Sequence, residues 1–149
     1  MKVYIGADHG GFKLKEEIKN WLKDWNFEFE DMGAKKFDSE DDYPDFAWPV
    51  AVAVGSHPGT FGILACRSGQ GESIVANKAK GARAALAWNE HAAHAARNDD
   101  DANILCLPAD YVTIDQAKAA VHVFLTTPFG TDERFHRRVD KVKKIDINL

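Results

Sequence analysis

Cysteine is scarce in this chain, which has 2 among its 149 residues. Cys66 and Cys106 stand in unlike sequence settings, so neither a disulfide framework nor a zinc cluster is expected, and both thiols are predicted to be reduced. Long apolar runs are also missing. The segment from Trp48 to Val54 is far shorter than the roughly 20 residues that a membrane-spanning helix needs. We therefore expect no membrane partner.

An excess of positive charge is missing as well. The 19 Lys and Arg residues are outnumbered by 23 Asp and Glu, which gives a formal net charge of -4. This balance argues against a broad surface for nucleic acid or anionic lipid, although it leaves room for a local basic pocket near the C-terminus. The N-terminus starts directly on a strand-like run and lacks the features of a signal peptide. We therefore expect a cytoplasmic protein.

The composition is that of one ordinary globular domain. Hydrophobic residues make up 45% of the chain and charged residues 28%, and no segment has the bias of a disordered tract. A chain of this length buries about two-thirds of the surface that its unfolded form exposes. We therefore expect a single domain over residues 1–149.

Short apolar runs alternate with segments of helical periodicity, which is typical of a parallel sheet covered by helices on both faces. The predicted strands are 3–6, 27–31, 61–66, 83–87 and 103–107. The predicted helices are 14–25, one starting near 44, 72–78, 89–98, 114–125 and 132–147. The pattern predicts an α/β three-layer sandwich with a five-stranded parallel sheet. The basic last helix follows the fifth without a strand between them, and we expect it to reach a partner subunit.

The turn after the first predicted strand is the first candidate site. In an open parallel α/β sheet, ligands bind at the carboxyl ends of the strands. Residues 6–11 read GADHGG, in which the glycines allow close approach while Asp8 offers an acceptor and His9 a donor. The structural alternative is that Asp8 only caps the next helix and His9 is merely exposed.

The turn after the third predicted strand gives the strongest local signal. Residues 66–73 read CRSGQGES, a glycine-rich turn leading into a helix whose free amides suit an anion. The turn lacks the Gly-Lys-Ser/Thr ending of a Walker loop and the third glycine of a dinucleotide fingerprint, so a flavin or nucleotide carrier ranks last. An ordinary tight turn would explain the glycines but not Cys66, Ser68 and Glu72 around them.

Two charged runs form the third candidate group. The acidic run 99–101 is assigned to the end of the fifth strand, and the basic run 134–138 lies in the last helix. Arg134 and Arg138 stand four residues apart, so they share a helix face and are able to grip one phosphate. Solvated helix and loop surfaces would explain both runs equally well.

Taken together, these motifs resemble the family of ribose-5-phosphate isomerase B and the galactose-6-phosphate isomerase subunits. The resemblance covers nearly the whole chain and rests on Gly6-Ala7-Asp8-His9-Gly10-Gly11-Phe12-x-Leu14-Lys15, Asp42-Tyr43-Pro44, Ser68-Gly69-x-Gly71, Ala76-Asn77-Lys78, Gly81-x-Arg83-Ala84, Asn103-x-Leu105 and Arg134-x-x-x-Arg138. It implies a flavodoxin-like fold, and a homodimer or dimer of dimers with active sites between subunits. It also implies cofactor-free and metal-free interconversion of an aldose phosphate and a ketose phosphate, foremost ribose 5-phosphate and ribulose 5-phosphate of the pentose phosphate pathway.

The resemblance implies a base that moves a proton between neighbouring carbons through an enediolate. One branch of the family has a Cys where Cys66 stands and another a Glu where Glu72 stands, and this chain has both. At neutral pH an ordinary carboxyl is almost wholly ionised, whereas an ordinary thiol is only a few per cent ionised. Glu72 is therefore preferred, while a thiol pKa lowered by Arg67 and the helix start keeps Cys66 open.

The other site residues that the resemblance implies divide by role. Ser68 is expected to shuttle protons between the sugar oxygens, and the backbone amides of the turn to stabilise the enediolate. His9 and the two arginines of the last helix are expected to hold the phosphate, which carries close to two charges near neutral pH. The complete set of predicted substrate-binding residues is Asp8, His9, Tyr43, Arg67, Gly69, Gln70, Gly71, Asp100, Arg134 and Arg138.

Several positions depart from the family pattern. Where the family commonly has a ring-opening His followed by Asn, this chain has Asp99 and Asp100, and where it has a phosphate-binding Arg, this chain has Asp110. Arg67 replaces a glycine of the turn, so we expect it to substitute for the missing arginine, and Asp99 or a water it holds to replace the His. A tetrose, allose or galactose 6-phosphate substrate remains an alternative, as does a non-catalytic sugar-phosphate sensor.

Overall fold

The computed structural model describes residues 1–147. Strands and helices alternate as far as β5, in the order that the sequence predicts. The elements are β1 (Lys2–Ala7), α1 (Phe12–Asp24), β2 (Glu28–Asp31), α2 (Pro44–Ser56), β3 (Phe61–Cys66), α3 (Gln70–Ala76), β4 (Ala84–Leu86), α4 (Glu90–Asn98), β5 (Ile104–Pro108), a 3₁₀ turn (Ala109–Tyr111), α5 (Ile114–Thr126) and α6 (Glu133–Ile147).

The five strands form one parallel sheet in the order β2-β1-β3-β5-β4. The prediction of a five-stranded parallel sheet with helices on both faces is confirmed. The order differs from the flavodoxin order 2-1-3-4-5 by an exchange of the last two strands. Burial explains the exchange, because every residue of β5 is buried, as a central strand requires, whereas β4 is only half-buried and suits an edge.

Helices cover the two faces of the sheet in two groups. Helices α1, α4 and α5 pack on one face, where Ile18 of α1 and Phe124 of α5 are among the buried side chains. Helices α2 and α3 cover the other face, where Val50 of α2 packs with Leu64 of β3. Each large apolar side chain buried in this way contributes about 1.5–3 kcal/mol to folding. The two apolar layers hold the strand ends, and the turns between them, in fixed positions.

Helix α6 stands apart from these two layers. Val139 is 3% exposed, but the lysines and arginines of the helix are exposed. The Asp146 carboxylate accepts a hydrogen bond from the Gly81 amide at 3.1 Å, and His136 bonds to the carbonyl of Gly130. Since Gly81 lies just before β4, α6 lies at the amino ends of the strands. Over the described part of the chain, no helix combines the length and the apolar character needed to span a membrane.

The strand order creates one point at which the chain changes direction. From β1 it moves outward to β2 and then returns to the other side of β1 to form β3. In parallel α/β sheets such a switch point opens a crevice at the carboxyl ends of the two strands. The turns that follow β1 and β3 meet at that crevice.

Candidate active site

Asp8 organises the turn that follows β1. Its side chain is buried, and its Oδ1 accepts hydrogen bonds from the amides of Gly10 at 2.9 Å and Gly11 at 3.3 Å. Burial raises the pKa of this carboxyl, and the two amides oppose the rise. The N-cap residue of α1 is Gly11, not Asp8. Asp8 therefore holds the shape of the turn rather than capping the helix itself.

His9 is held by the loop between β2 and α2. Its backbone N–H and its Nδ1 both bond to Oδ1 of Asp41, at 2.9 Å and 2.6 Å. The hydrogen bond to Asp41 raises the pKa of His9, partial burial opposes it, and the charge of Asp8 adds to it. Sequence reasoning missed Asp41, because nothing in an acidic loop indicates which carboxylate folds back onto a histidine 32 residues away.

The turn after β3 bends around the sulfur of Cys66. Gly69 has a φ of +73°, which a glycine adopts without steric cost, and its N–H donates to Sγ of Cys66 at 3.2 Å. The hydroxyl of Ser68 accepts the N–H of Gln70 at 3.4 Å. Helix α3 begins at Gln70, two residues earlier than the sequence predicts, so Glu72 lies inside its first turn.

Glu72 is the most unusual titratable group at this edge. It is 0% exposed, and within residues 1–147 neither of its carboxylate oxygens makes a well-aligned hydrogen bond, although the Asp8 amide and the Cys66 thiol lie near enough to oppose part of the rise in its pKa. Burial, and then the charge of Asp8, raises its pKa well above the ordinary value. Burial and then the charge of Glu72 raise the pKa of Cys66 to about 11. The two groups therefore resist being negatively charged at the same time.

These shifts remove the basis for choosing a base from ordinary pKa values. An ordinary carboxyl is almost wholly ionised at neutral pH, but desolvation makes a buried carboxyl hold its proton much more tightly. The ionisation of Glu72 also depends on the charge of Cys66, and the reverse holds too. The choice between them has to come from geometry and not from population.

Tyr43 and Arg67 lie over the two turns. Glycine at 71 leaves room for the Tyr43 ring, since a Cβ there would lie 2.7 Å from it. The Arg67 stem passes over Gly10, and its Nη1 lies 3.4 Å from Oδ2 of Asp110. The guanidinium therefore occupies the neighbourhood of position 110, where the family pattern has its own arginine.

Four predicted site residues lie at the opposite end of the strands. Asp99 and Asp100 follow α4 and precede β5, so assigning them to the end of the fifth strand is wrong. The apolar run that forms β5 begins only at Ile104. Arg134 and Arg138 are exposed on α6, which contacts the same end of the sheet. Strands of five or six residues separate the two ends by about 17–20 Å, so one copy of the chain does not unite these four with Glu72.

One group of potential metal ligands occurs within the described residues. Asp8, His9 and Asp41 each offer a ligand atom, and these atoms lie within 4.8 Å of one another. Two of them already bond to each other at 2.6 Å, and Asp8 Oδ1 accepts two backbone amides. Nδ1 of His9 and one oxygen of each carboxylate are already engaged in hydrogen bonds, so we describe the cluster as a hydrogen-bonded network.

The fold and this edge define a class: a small parallel α/β protein with a buried carboxyl and thiol at the switch point of its sheet. The chain belongs to the Ribose/Galactose Isomerase family, whose model matches residues 3–142. The family resemblance read from the motifs is therefore confirmed.

Individual relatives agree with this assignment. Ribose-5-phosphate isomerase B of Mycobacterium tuberculosis (strain CDC 1551 / Oshkosh) is 42% identical over 140 residues, which are 94% of this chain and 86% of the relative. The solved structure of ribose-5-phosphate isomerase B from Mycoplasma genitalium with bound ribulose-5-phosphate has a TM-score of 0.95 at 40% identity, covering 99% of this chain and 97% of that one. Type B ribose 5-phosphate isomerase from Trypanosoma cruzi has a TM-score of 0.94 at 38% identity, with both chains fully covered.

Proposed function

We propose that the protein is an aldose–ketose isomerase that interconverts ribose 5-phosphate and ribulose 5-phosphate. The observation that carries the proposal is Glu72, a wholly buried carboxyl with two unpaired oxygens beside a thiol at the switch point. Such a group destabilises a fold, so chemistry is the simplest reason for its presence. The Mycoplasma genitalium relative, whose structure holds ribulose-5-phosphate, has the same fold.

Glu72 is the group that we assign as the base. Neither of its oxygens makes a well-aligned hydrogen bond, whereas Sγ of Cys66 accepts the Gly69 amide at 3.2 Å. Glu72 takes the proton from the carbon beside the carbonyl and returns it to the neighbouring carbon, while Cys66 stays protonated. A raised pKa makes the carboxylate a stronger base for the first transfer and the carboxylic acid a weaker donor for the second, so a pKa near the working pH suits the two transfers together.

The enediolate formed between the two proton transfers carries negative charge on oxygen. We assign its stabilisation to the backbone amides of Gln70 and Gly71, since the Gly69 amide donates to Cys66 at 3.2 Å and the Gln70 amide makes only a long contact of 3.4 Å with the Ser68 hydroxyl. A well-placed donor of this kind contributes about 3–4 kcal/mol to the transition state. Ser68 lies beside these amides and passes the hydroxyl proton from one sugar oxygen to the other.

The phosphate group is assigned to residues from two copies of the chain. His9 and Arg67 lie at the carboxyl ends of the strands, whereas Arg134 and Arg138 are exposed at the amino ends. A homodimer or dimer of dimers that apposes these ends would complete the site and would also bring Asp99 and Asp100 to the sugar. Three exposed apolar side chains of α2 and α3 suit such an interface: Trp48, Val52 and Ile74. The free buried thiols agree with a reducing, cytoplasmic location.

Label exchange tests the assignment of the reaction and of the base. The protein is incubated with ribose 5-phosphate, and in parallel with tetrose and hexose phosphates, in deuterated water. We expect ribulose 5-phosphate to form with deuterium at the carbon beside the carbonyl, and Glu72→Gln to lose both signals by about 100-fold or more. Cys66→Ser should keep the exchange. The reverse pattern would assign the base to Cys66, and no turnover of any sugar phosphate would favour a sensor.

Subunit mixing tests the composite site. Glu72→Gln and Arg138→Ala are each impaired alone, but a mixed dimer contains one site with both residues intact. Random exchange makes half of the dimers mixed, so about one-quarter of the wild-type activity should return. The control mixes the double variant, with both changes in one chain, with Glu72→Gln, which leaves every site without the carboxylate. No recovery in the first mixture would place the whole site within one chain.

A further inference from the structure

We propose that Asp41 is a positioning residue that keeps the imidazole of His9 charged and turned toward the phosphate of the substrate. The inference rests on the proposed function, because it requires a sugar phosphate at this edge of the sheet. Asp41 comes from the loop between β2 and α2, so it brings a third segment of the chain to the crevice formed by the turns after β1 and β3.

The contact between Asp41 and His9 fixes both the backbone and the ring. One carboxylate oxygen of Asp41 accepts the backbone N–H of His9 at 2.9 Å and lies 2.6 Å from Nδ1 of the same residue. Nδ1 is thus occupied, and Nε2 is the ring nitrogen left for a ligand. The His9 side chain is 24% exposed and that of Asp41 only 10%. The ring is therefore partly open to solvent, while the carboxylate that holds it is more deeply buried.

The Asp41 side chain makes its hydrogen bonds to His9 through one oxygen only. Oδ2 is buried and, in the described part of the chain, has no hydrogen-bond partner. Desolvation by itself disfavours a charged carboxylate, and a protonated His9 ring 2.6 Å from Oδ1 is the partner that offsets this cost.

The other charged groups that face His9 act in both directions. The hydrogen bond to Asp41 raises the pKa of His9 and Asp8 adds to the rise, while partial burial and the positive charge of Arg67 oppose it. Because the pKa of His9 is raised overall, its ring stays protonated, with an N–H donor at Nε2, to a higher pH than the ring of an ordinary histidine. A charged donor binds a phosphate oxygen roughly twice as strongly as a neutral one.

The competing explanation is that Asp41 only fastens its loop to the turn after β1. Two substitutions separate the explanations. Asp41→Asn keeps an oxygen that accepts both N–H groups but removes the charge, whereas Asp41→Ala removes the oxygen as well. Glu40→Gln is the matched control, since it removes one negative charge from an exposed neighbour in the same loop.

The first measurement is the titration of His9 by NMR in the full-length protein, with its signal assigned by its loss in His9→Gln. We expect the His9 pKa to lie above the ordinary value in the wild type, to fall in Asp41→Asn and to be unchanged in Glu40→Gln. Inorganic phosphate should raise it further in the wild type. Equal His9 pKa values in the wild type and Asp41→Asn would overturn the proposal, whether or not the protein is an isomerase.

The second measurement is steady-state kinetics with ribose 5-phosphate across the same pH range. Between the two His9 pKa values, Asp41→Asn should raise KM by about tenfold and leave kcat within about twofold. The defect should shrink below the lower pKa, where His9 is protonated in both proteins, while Asp41→Ala should stay impaired throughout. A pH-independent defect in Asp41→Asn, or a fall in kcat alone, would leave only the fastening role. A wild type without turnover would contradict the isomerase assignment, and the NMR titration would still decide the role of Asp41.

Discussion

The two ends of the sheet differ in whether their buried ionisable groups are paired. At the amino ends, the Asp101 carboxylate receives Arg83 at 3.0 Å and Arg97 at 2.9 Å. Arg97 also donates to the carbonyl of Ala102. At the carboxyl ends, Glu72 is fully buried, and among the described residues neither of its oxygens makes a well-aligned hydrogen bond or an ion pair. Paired charges hold a structure in place, whereas an unpaired buried charge destabilises it and is a candidate for chemistry.

The same contrast shows why cavity size does not locate the site. A cavity of about 480 Å³ opens at the amino ends, where its lining includes Gly81, Arg83, Asp101 and Asp146. The two acidic groups of this lining already bond to Arg83 and to the Gly81 amide. The groups with unmet hydrogen-bonding capacity, Glu72 and Asp41, lie at the carboxyl ends of the strands. We expect a second copy of the chain to close the crevice there.

Removing Asp101 should have the largest effect on stability. Asp101→Asn leaves two arginines without their carboxylate, and we expect the free energy of unfolding to fall by about 3 kcal/mol. Asn tolerates the φ of +49° at this position, so the loss reports on charge and not on backbone strain. Urea unfolding measures it, with the exposed Glu17→Gln as a control that should change stability by less than about 0.5 kcal/mol. A loss no larger than that of the control would mean that the amino-end network is not structural.

Neutralising Glu72 should have a smaller effect in the opposite direction. A carboxyl with a raised pKa binds its proton more tightly in the folded state, so this stabilisation is complete below the ordinary pKa of 4.5 and is lost as the pH rises through the raised value. Glu72→Gln has no such loss, and we expect it to be about 1–2 kcal/mol more stable at neutral pH. Thermal unfolding at several pH values should show the gap narrowing toward pH 4.5. A gap that does not change with pH would contradict the raised pKa.

The raised pKa of Glu72 should also be visible in the pH dependence of kcat/KM. Because the base has to be ionised, activity should fall on the acid side at a pH well above the ordinary pKa of a Glu, 4.5. The profile in the Cys66→Ser variant provides the matched comparison. Loss of the thiol changes the surroundings of Glu72 without removing it, so the acid limb should move but persist. An acid limb near the ordinary value would show that Glu72 is not the group that titrates.

The fold class could be predicted from the sequence because the periodicity of apolar residues within each segment indicates which helix faces and which strands are buried. The apolar face of α1 and the fully apolar run of β5 specify what has to be buried. The exchange of β4 and β5 was not foreseen, since periodicity within a strand does not say which neighbour it will have. Burial decides that, and burial is a property of the folded chain.

The candidate site could be predicted from the sequence only where its residues are close together along the chain. Glycines and polar residues in the turns after β1 and β3 predicted one edge of the sheet, and the structure brings Asp8 and Glu72 close enough for the charge of one to raise the pKa of the other. The bond between Asp41 and His9 joins distant segments, so no spacing rule indicates it. The predicted strand 103–107 already begins after Asp99, so the chain order itself places Asp99 before β5, at the opposite end of the strands from Glu72.

The contact between Arg67 and Asp110 gives the smallest predicted change. It tests whether Arg67 substitutes in the phosphate site for the arginine that the family pattern has at position 110. Both side chains are exposed, so their mutual attraction is weak, and a phosphate with nearly two charges should compete well for Arg67. Arg67→Ala should raise KM for ribose 5-phosphate by about tenfold with kcat little changed. Asp110→Ala, the matched control, should leave KM unchanged or lower, because it releases Arg67 from a competing carboxylate. If KM is unchanged in Arg67→Ala, the arginine serves only as the partner of Asp110, and the phosphate depends on His9 and on the arginines of α6.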